Sequence, residues 1–303
     1  ALVGCWPAEF HAAGELDPDA VAQLRERMSA YMIKAVREAK THSSWINPNG
    51  EYENALLSLI GRCLDASRPN PFLADFRDFH RPVAVAGALN GLAQTTLKLT
   101  APGVPDLYQG CEMWDFALVD PDNRRPVDFD ERMHRLTRLA EAFAQQGEEL
   151  APGLLHDWPD GTIKLFVIWR LLGLRRARPE LFRRAPYIPV EAEGRGADHV
   201  CAFIRGEGGT KVLTVAPRLA ARLLAITGDW PVGEAAWSDC SLTLPPMAGD
   251  EPWEDVFTGR RITADVAAAS GGADDRRRLP LGHAFATFPI AVLLQQPADA
   301  GGW

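Results

Sequence analysis

Long apolar runs are missing from this chain of 303 residues. No stretch approaches the roughly 18 continuous apolar residues that a membrane-spanning helix requires, so no membrane partner is expected. Cysteine is scarce. Cys5, Cys63, Cys111, Cys201 and Cys240 lie far apart, with no CxxC pair and no Cys/His cluster at zinc spacing. That pattern argues against a structural metal site and a disulfide framework. An odd, dispersed set suits reduced thiols and a cytoplasmic location. A basic excess is also lacking: 32 Lys and Arg stand against 40 Asp and Glu, for a formal charge of -8. With no basic run, no nucleic-acid partner is expected. The opening ALVGCWPAEF has no charged n-region of a secretory signal. It begins on Ala rather than Met and is abruptly apolar, so a piece of a longer protein is expected. Nothing calls for a metal or an organic cofactor.

What remains is ordinary globular material, with 47% hydrophobic and 24% charged residues, and length for more than one domain. Helical periodicity dominates the first 186 residues. Asp17-Pro18 reads as an N-cap and first-turn pair. Val21, Leu24, Met28, Tyr31, Met32 and Val36 then make one apolar stripe, which predicts a helix to about Glu38. Further helices are expected over Asn54–Ala66, Phe72–Phe79, Val83–Leu99, Phe129–Gln146 and Ile163–Arg178. Asn90 and Gln94, four apart, are expected to be buried and hydrogen-bonded. From Tyr187 short strand-type runs alternate with Gly/Pro turns: Tyr187–Val190, Val200–Arg205, Lys211–Ala216, Ser241–Leu244, Trp253–Phe257 and Ile290–Leu294. This texture predicts an antiparallel β-sandwich. Val266–Gly272 reads as a flexible loop.

The chain is organised around Ala101 to Phe129, APGVPDLYQGCEMWDFALVDPDNRRPVDF. Its first half predicts a turn at Pro102, Gly103 and Pro105, then a buried strand through Val104, Leu107 and Tyr108. Its second half gathers Glu112, Trp114, Asp115, Asp120, Asp122, Asn123, Arg124, Arg125 and Asp128. Carboxylates and guanidinium groups hydrogen-bond sugar hydroxyls, and an indole face packs on the apolar face of a sugar ring. The same residues would equally suit a charged surface loop with a local Asp–Arg pair. A second polar and aromatic cluster, Lys40-Thr41-His42-Ser43-Ser44-Trp45-Ile46-Asn47-Pro48-Asn49, follows the first long helix. It reads either as a sugar-contact loop or as a helix end with a turn.

The spacing Gly103-Val104-Pro105-Asp106-Leu107-Tyr108-Gln109-Gly110-Cys111-Glu112 resembles the eighth strand and following loop of the alpha-amylase family, with Cys111 where Thr would be expected. Its continuation, Leu118 to Asp128, is similar to the branch of that family that rearranges the terminal alpha-1,4 bond of a maltooligosaccharide into an alpha-1,1 bond. The resemblance implies an isomerase, a glucosylmutase of trehalose biosynthesis, and a fold of α/β plus all-β class. Residues 1–80 would be helical and inserted in or packed on a (β/α)8 barrel. Residues 81–186 would hold its last helices and eighth strand, and residues 187–303 the sandwich. It implies substrate contacts from Asp120 and Arg124 as a hydroxyl-binding pair. Trp114 and Tyr108 would be stacking platforms or simply core, and Lys40, His42, Trp45 and Asn47 would stand in the cleft. Glu112 and Arg125 would hold the loop by ion pairs.

Retaining transglycosidases need two carboxyl groups about 5 Å apart. The resemblance implies that these sit on earlier barrel strands, with a third in a His-Asp motif. The one His-Asp pair here, His156-Asp157, lies beyond the expected eighth strand. No catalytic residue is therefore expected in this chain. Its partners would be a maltooligosaccharide and an N-terminal portion of the same enzyme that carries the carboxylates. Another amylase-like hydrolase or transglucosidase, or a non-catalytic carbohydrate-binding fragment, are the alternatives.

Overall fold

The computed structural model describes residues 1–11, 16–207, 209–266 and 277–297. The expected loop at Val266–Gly272 lies outside the described residues except for Val266. The chain divides into two compact units. One comprises Ala1–Ala84 with Trp114–Val127, and the other Val85–Met113 with Asp128–Trp303.

The first unit is helical. After α1 (Leu2–Cys5) comes α2 (Pro18–Ala39), capped by the Asp17 carboxylate, which accepts from the Asp19 N–H at 3.0 Å. It ends on Lys40 in the left-handed region, φ 56°. Next is α3 (Gly50–Cys63), capped by Asn49, whose Oδ1 accepts from the Tyr52 N–H at 3.1 Å. Asn70 serves both helices at the next corner. Its amide donates to the carbonyls of Arg62, Cys63 and Asp65 at the end of α3, and its Oδ1 accepts from the Phe72 N–H at the start of α4 (Pro71–Thr100). The stripe Val21, Leu24 and Met28 packs with Ile60, Leu64, Leu73 and Phe76 around the fully buried Trp6. Each large apolar side chain so buried contributes about 1.5–3 kcal/mol.

α4 corrects the expectation of two helices. Phe72–Phe79 and Val83–Leu99 are one helix of 30 residues that runs through Pro82. Proline removes one backbone hydrogen bond and crowds the preceding turn. Buried positions on both sides of it (Leu73, Phe76, His80, then Ala86, Leu89, Leu92) keep the helix continuous. Asn90 and Gln94 are exposed rather than buried, because they lie on the face opposite Leu89, Leu92 and Ala93.

The second unit carries the end of α4, then α5 (Phe129–Gln146), α6 (Leu150–His156), α7 (Thr162–Ala177) and α8 (Pro179–Arg184). Asp128 caps α5 by accepting from the Glu131 N–H at 2.9 Å. α7 buries Ile163, Leu165, Phe166, Val167, Ile168, Leu171 and Leu174. Phe166 meets the rings of Phe257 and Phe288. The strands follow: β1 (Tyr187–Glu193), β2 (Val200–Glu207), β3 (Thr210–Pro217), β4 (Ser241–Leu244), β5 (Trp253–Asp255), β6 (Arg261–Ile262), β7 (Asp265–Val266), β8 (Arg277–Pro280) and β9 (Ala291–Gln295). They form an antiparallel nine-stranded sheet in the order β6-β5-β9-β3-β2-β1-β4-β8-β7. β1 joins two portions of it: Tyr187–Val190 pair with β2, and Glu191–Glu193 with β4. Side chains from both portions, among them Ile204, Leu213 and Leu242, share one core with Leu89 of α4. Three short helices, α9 (Ala220–Thr227), α10 (Gly233–Trp237) and α11 (Leu281–Ala284), add Leu223, Trp237 and Leu281 to that core.

The expected strand at Val104–Tyr108 is not formed. These residues carry no ladder, and Val104 is 98% and Tyr108 65% exposed. A strand needs neighbours to satisfy its backbone. No parallel partner for it exists among the described residues, where all the paired strands are antiparallel.

The segment is nevertheless launched from a fixed point. Arg205 of β2, 2% exposed, donates to Thr100 O at the end of α4 and to Leu181, Phe182 and Ala185 O at the end of α8. Arg175 donates to Leu99 O at 2.7 Å. Two guanidinium groups thus cover helix C-termini, where carbonyls are unpaired and the dipole favours positive charge. Burial holds the Arg205 guanidinium below its ordinary range. Burial, then the like charge of Arg205, does the same for Arg175. Replacing Arg205 by Met strands these carbonyls and is expected to cost about 2–4 kcal/mol in urea unfolding. A loss below about 0.5 kcal/mol would show that the carbonyls are otherwise satisfied.

In the first unit the His11 ring stacks on His80 at 5.0 Å. Burial first, then His80, Arg81 and Arg77, holds the His11 pKa down to about 4. The unfolded imidazole binds its proton near pH 6.5. Stability is therefore expected to be level above that value and to fall as pH drops from 6.5 towards 4. His11→Phe should flatten the unfolding midpoint in this window. An unchanged slope would remove His11 as its source.

Candidate functional site

The polar face of α2 carries Arg27, Lys34 and Arg37, seven and three residues apart, spacings that keep them on one side of a helix. Each holds a different part of the surrounding loops. Arg27 forks onto Asp122, with Nε to Oδ1 and Nη2 to Oδ2 both at 2.9 Å, and also donates from Nη2 to Phe116 O at 2.7 Å. Asp122 accepts in addition from the Leu118 N–H at 2.7 Å, and its Oδ1 lies 3.4 Å from Arg125 Nε. Burial would raise the Asp122 carboxyl, but the bonds from Arg27 and Leu118 outweigh it and leave the pKa lowered. Such two-point Arg–carboxylate pairs fix orientation as well as charge. Lys34 Nζ donates to Asp120 O at 2.6 Å. On this anchored turn Asp120 and Arg124 form an ion pair with exposed side chains. Arg125 Nε donates to Asp122 O at 3.1 Å.

Arg37 holds the second cluster. Its Nε and Nη2 meet Glu53 Oε1 and Oε2 at 2.8 and 2.6 Å. Ser43 Oγ donates to Glu53 Oε1 at 2.5 Å and accepts from the Asn49 N–H at 3.0 Å. The loop 40–49 is thereby pinned at a buried serine. Asn47 closes its tip: its N–H donates to Ser44 Oγ at 2.9 Å and its carbonyl accepts from the Ser44 N–H at 3.2 Å. Arg37 also sits 5.0 Å over the Trp45 ring, which is 55% exposed. His42 lies 5.0 Å from the Tyr52 ring, and Lys40 is the exposed end of α2.

The structure therefore brings Asp120, Arg124 and Arg125 onto one turn, and Lys40, His42, Trp45 and Asn47 onto one loop. Both belong to the first unit, as does the partly buried Trp114. Tyr108 and Glu112 belong to the second. There Glu112 Oε2 accepts from the Gly110 N–H at 2.9 Å and from Arg132 Nε at 3.0 Å, while Arg132 Nη2 donates to Gly110 O. Glu112 is committed to closing its own turn. The second unit also has a mainly apolar groove of about 710 Å³ walled by Leu136, Leu165, Ile168, Trp169 and Leu172, with Glu112, Arg170 and Arg176 also in its lining. Sequence reasoning passed over Arg27, Lys34 and Glu53, and it placed Asp122 and Ser43 in the two polar clusters without reading them as anchors. The seven-then-three spacing of the α2 cations was the available signal.

Among the described residues no group of three His, Cys, Asp or Glu could hold a metal ion, and no helix is long and apolar enough to cross a membrane.

No family model matches the chain. A protein of Mycobacterium tuberculosis (strain ATCC 25618 / H37Rv), provisionally named a maltooligosyl trehalose synthase, is 34% identical over 297 residues, 98% of this chain. Among solved structures, the maltooligosyltrehalose synthase from Arthrobacter ramosus superposes with a TM-score of 0.70 at 33% identity over 97% of this chain. A Sulfolobus tokodaii protein described as a hypothetical maltooligosyl trehalose synthase gives 0.63 at 28% identity, again over 97%. The chain spans 31% of the length of each of these relatives.

Arg37, then Ser43, holds the Glu53 pKa down to about 2. A depressed carboxylate contributes stability that is complete above its unfolded value near 4.5 and is lost as pH falls through the folded one. The Glu53 side-chain carboxyl carbon is expected to titrate near pH 2 by NMR, with the loop 40–49 keeping its chemical shifts down to about pH 4. A midpoint near 4.5 would mean that the clamp does not persist in solution.

Proposed function

From its match to maltooligosyl trehalose synthases along nearly its whole length, we infer that this chain is the C-terminal portion of such an enzyme and forms part of its substrate-pocket wall. The reaction of the complete enzyme converts the reducing-end alpha-1,4 bond of a maltooligosaccharide to alpha-1,1. This makes it an isomerase, a (1->4)-alpha-D-glucan 1-alpha-D-glucosylmutase of trehalose biosynthesis. The observation that carries the reading is the turn anchored by Arg27 and Lys34, which leaves the Asp120 carboxylate and the Arg124 guanidinium exposed on a fixed backbone. A charged pair held in this way can meet adjacent sugar hydroxyls without first being ordered. Trp45, on its own pinned loop, offers a ring surface for stacking on a second sugar.

In this reading the residues of the chain bind and enclose, and the reacting carboxylates belong to the remaining two thirds of the protein. There a carboxylate attacks the anomeric carbon and a second carboxyl group protonates the leaving oxygen. The released glucose stays in the pocket, turns, and attacks through its anomeric hydroxyl. Water in the pocket would end the cycle in hydrolysis, so a rigid, closed wall favours transfer. In the complete protein, residues 101–113 would complete a (β/α)8 barrel as its eighth strand. The sheet from Tyr187 onward would be the sandwich-like domain that follows it. The five free thiols suit a cytoplasmic enzyme.

The test is made on the complete enzyme with maltopentaose, reading the non-reducing product. A hydrogen bond to a charged group is worth about 1.5–3 kcal/mol, so Asp120→Ala is expected to weaken substrate binding about 10- to 100-fold. The isolated chain should yield no product. Turnover by the isolated chain would place catalytic carboxylates within it. Glucose release without a trehalose end in the complete enzyme would favour a hydrolase.

A further inference from the structure

We propose that Lys34 is a positioning residue, one that fixes the backbone of Asp120 so that its carboxylate faces the substrate. The inference rests on reading Asp120 as a sugar ligand and concerns what aims it. The Asp120 side chain is exposed, and its ion pair with Arg124 is contained within the same turn. Neither burial nor this pair ties the carboxylate to the rest of the unit. The backbone does. Lys34 Nζ lies 2.6 Å from Asp120 O, whereas its carboxylate neighbour Glu38 is 3.9 Å away, beyond hydrogen-bond distance. The ammonium therefore spends its directional bond on the Asp120 peptide. Two residues further on, Arg27 grips Asp122. The residues on either side of Pro121, Asp120 by its carbonyl and Asp122 by its carboxylate, are thus tied to two points of α2, seven residues or about 10 Å apart along its axis.

The two ties do different work. Asp122 is nearly buried and anchors the turn as a whole through Arg27, Leu118 N–H and Arg125. Lys34 has no carboxylate at hydrogen-bond distance, and its bond to Asp120 O fixes one peptide, so its loss is expected to release that peptide while the Arg27–Asp122 anchor holds the turn. A release of that kind is costly to function, because small displacements of a binding group lose much of its interaction. Lys34 need not contact sugar at all. The 2.6 Å bond engages the ammonium with the backbone.

A double-mutant cycle on the complete enzyme with maltopentaose tests this. Lys34→Met is expected to raise KM about tenfold with kcat changed less than about twofold, the signature of lost uniform binding. Its melting temperature should stay within about 2 °C of the parent. Lys34→Arg, which can still donate to the carbonyl, should recover most of the loss. In an Asp120→Ala background the carbonyl remains but there is no carboxylate to aim, and Lys34→Met should then change KM less than about twofold. Equal losses in the two backgrounds, or a loss that Arg does not recover, would overturn the proposal. So would an unchanged KM in Lys34→Met. An Asp120→Ala variant that binds normally would instead overturn the site reading beneath it, and is seen in its own arm. Should Lys34→Met fail to fold, Lys34→Gln carries the same comparison.

Discussion

The two-point bond between Arg27 and Asp122 is the constraint on which the candidate site depends. Helix α2 buries Val21, Leu24 and Met28 in its unit and so cannot rotate or slide without opening that core. Its opposite face is therefore a fixed reference. Arg27, Lys34 and Arg37 transfer that fixity to two stretches that have neither α-helix nor strand, the first holding only a single 3-10 turn at Asp122–Arg124. The energy of each ion pair matters less than its directionality, since exposed or half-exposed pairs add little to stability. What they supply is geometry for groups that must remain open to solvent.

This separates two kinds of charged residue that composition alone lumps together. Glu53 and Asp122 are consumed by their partners, and their depressed pKa values record it. Asp120, Arg124 and the Trp45 ring remain exposed. Glu112 belongs with the consumed group, since Arg132 and the Gly110 N–H use its carboxylate within its own turn. A wall built in this way would be stiff because its inner carboxylates are satisfied, and adhesive because its outer Asp120–Arg124 pair is open to solvent.

The long helices were legible in the sequence because their signals are local, though α4 was read as two and the short helices were not seen. The cap at Asp17 and the stripe from Val21 to Met28 act over a few residues. The larger strands were legible for the same reason, through alternating apolar runs between turns. Short strands such as Arg261–Ile262 and Asp265–Val266 carry too few residues to show a period. The residues from Val104 to Tyr108 have strand character yet no ladder, because pairing is a property of neighbours and not of a segment. The anchors were invisible for a further reason. Arg27 and Asp122 lie 95 residues apart and Lys34 and Asp120 lie 86 apart, and no periodicity joins them.

Asn49 and Asn70 both cap helices, and they face different chemical ageing. An asparagine side chain is lost when the backbone nitrogen of the following residue attacks its amide carbonyl to form a succinimide. Asn70, whose amide closes α3 while its oxygen opens α4, is followed by Pro71, whose nitrogen bears no hydrogen and cannot take that route. Asn49, which caps α3 and donates its N–H to the buried Ser43, is followed by Gly50, where no side chain hinders the attack. Shelf life at this corner is thus set unequally. The joint between α3 and α4 is chemically durable, whereas the joint between the Trp45 loop and α3 is open to slow covalent wear.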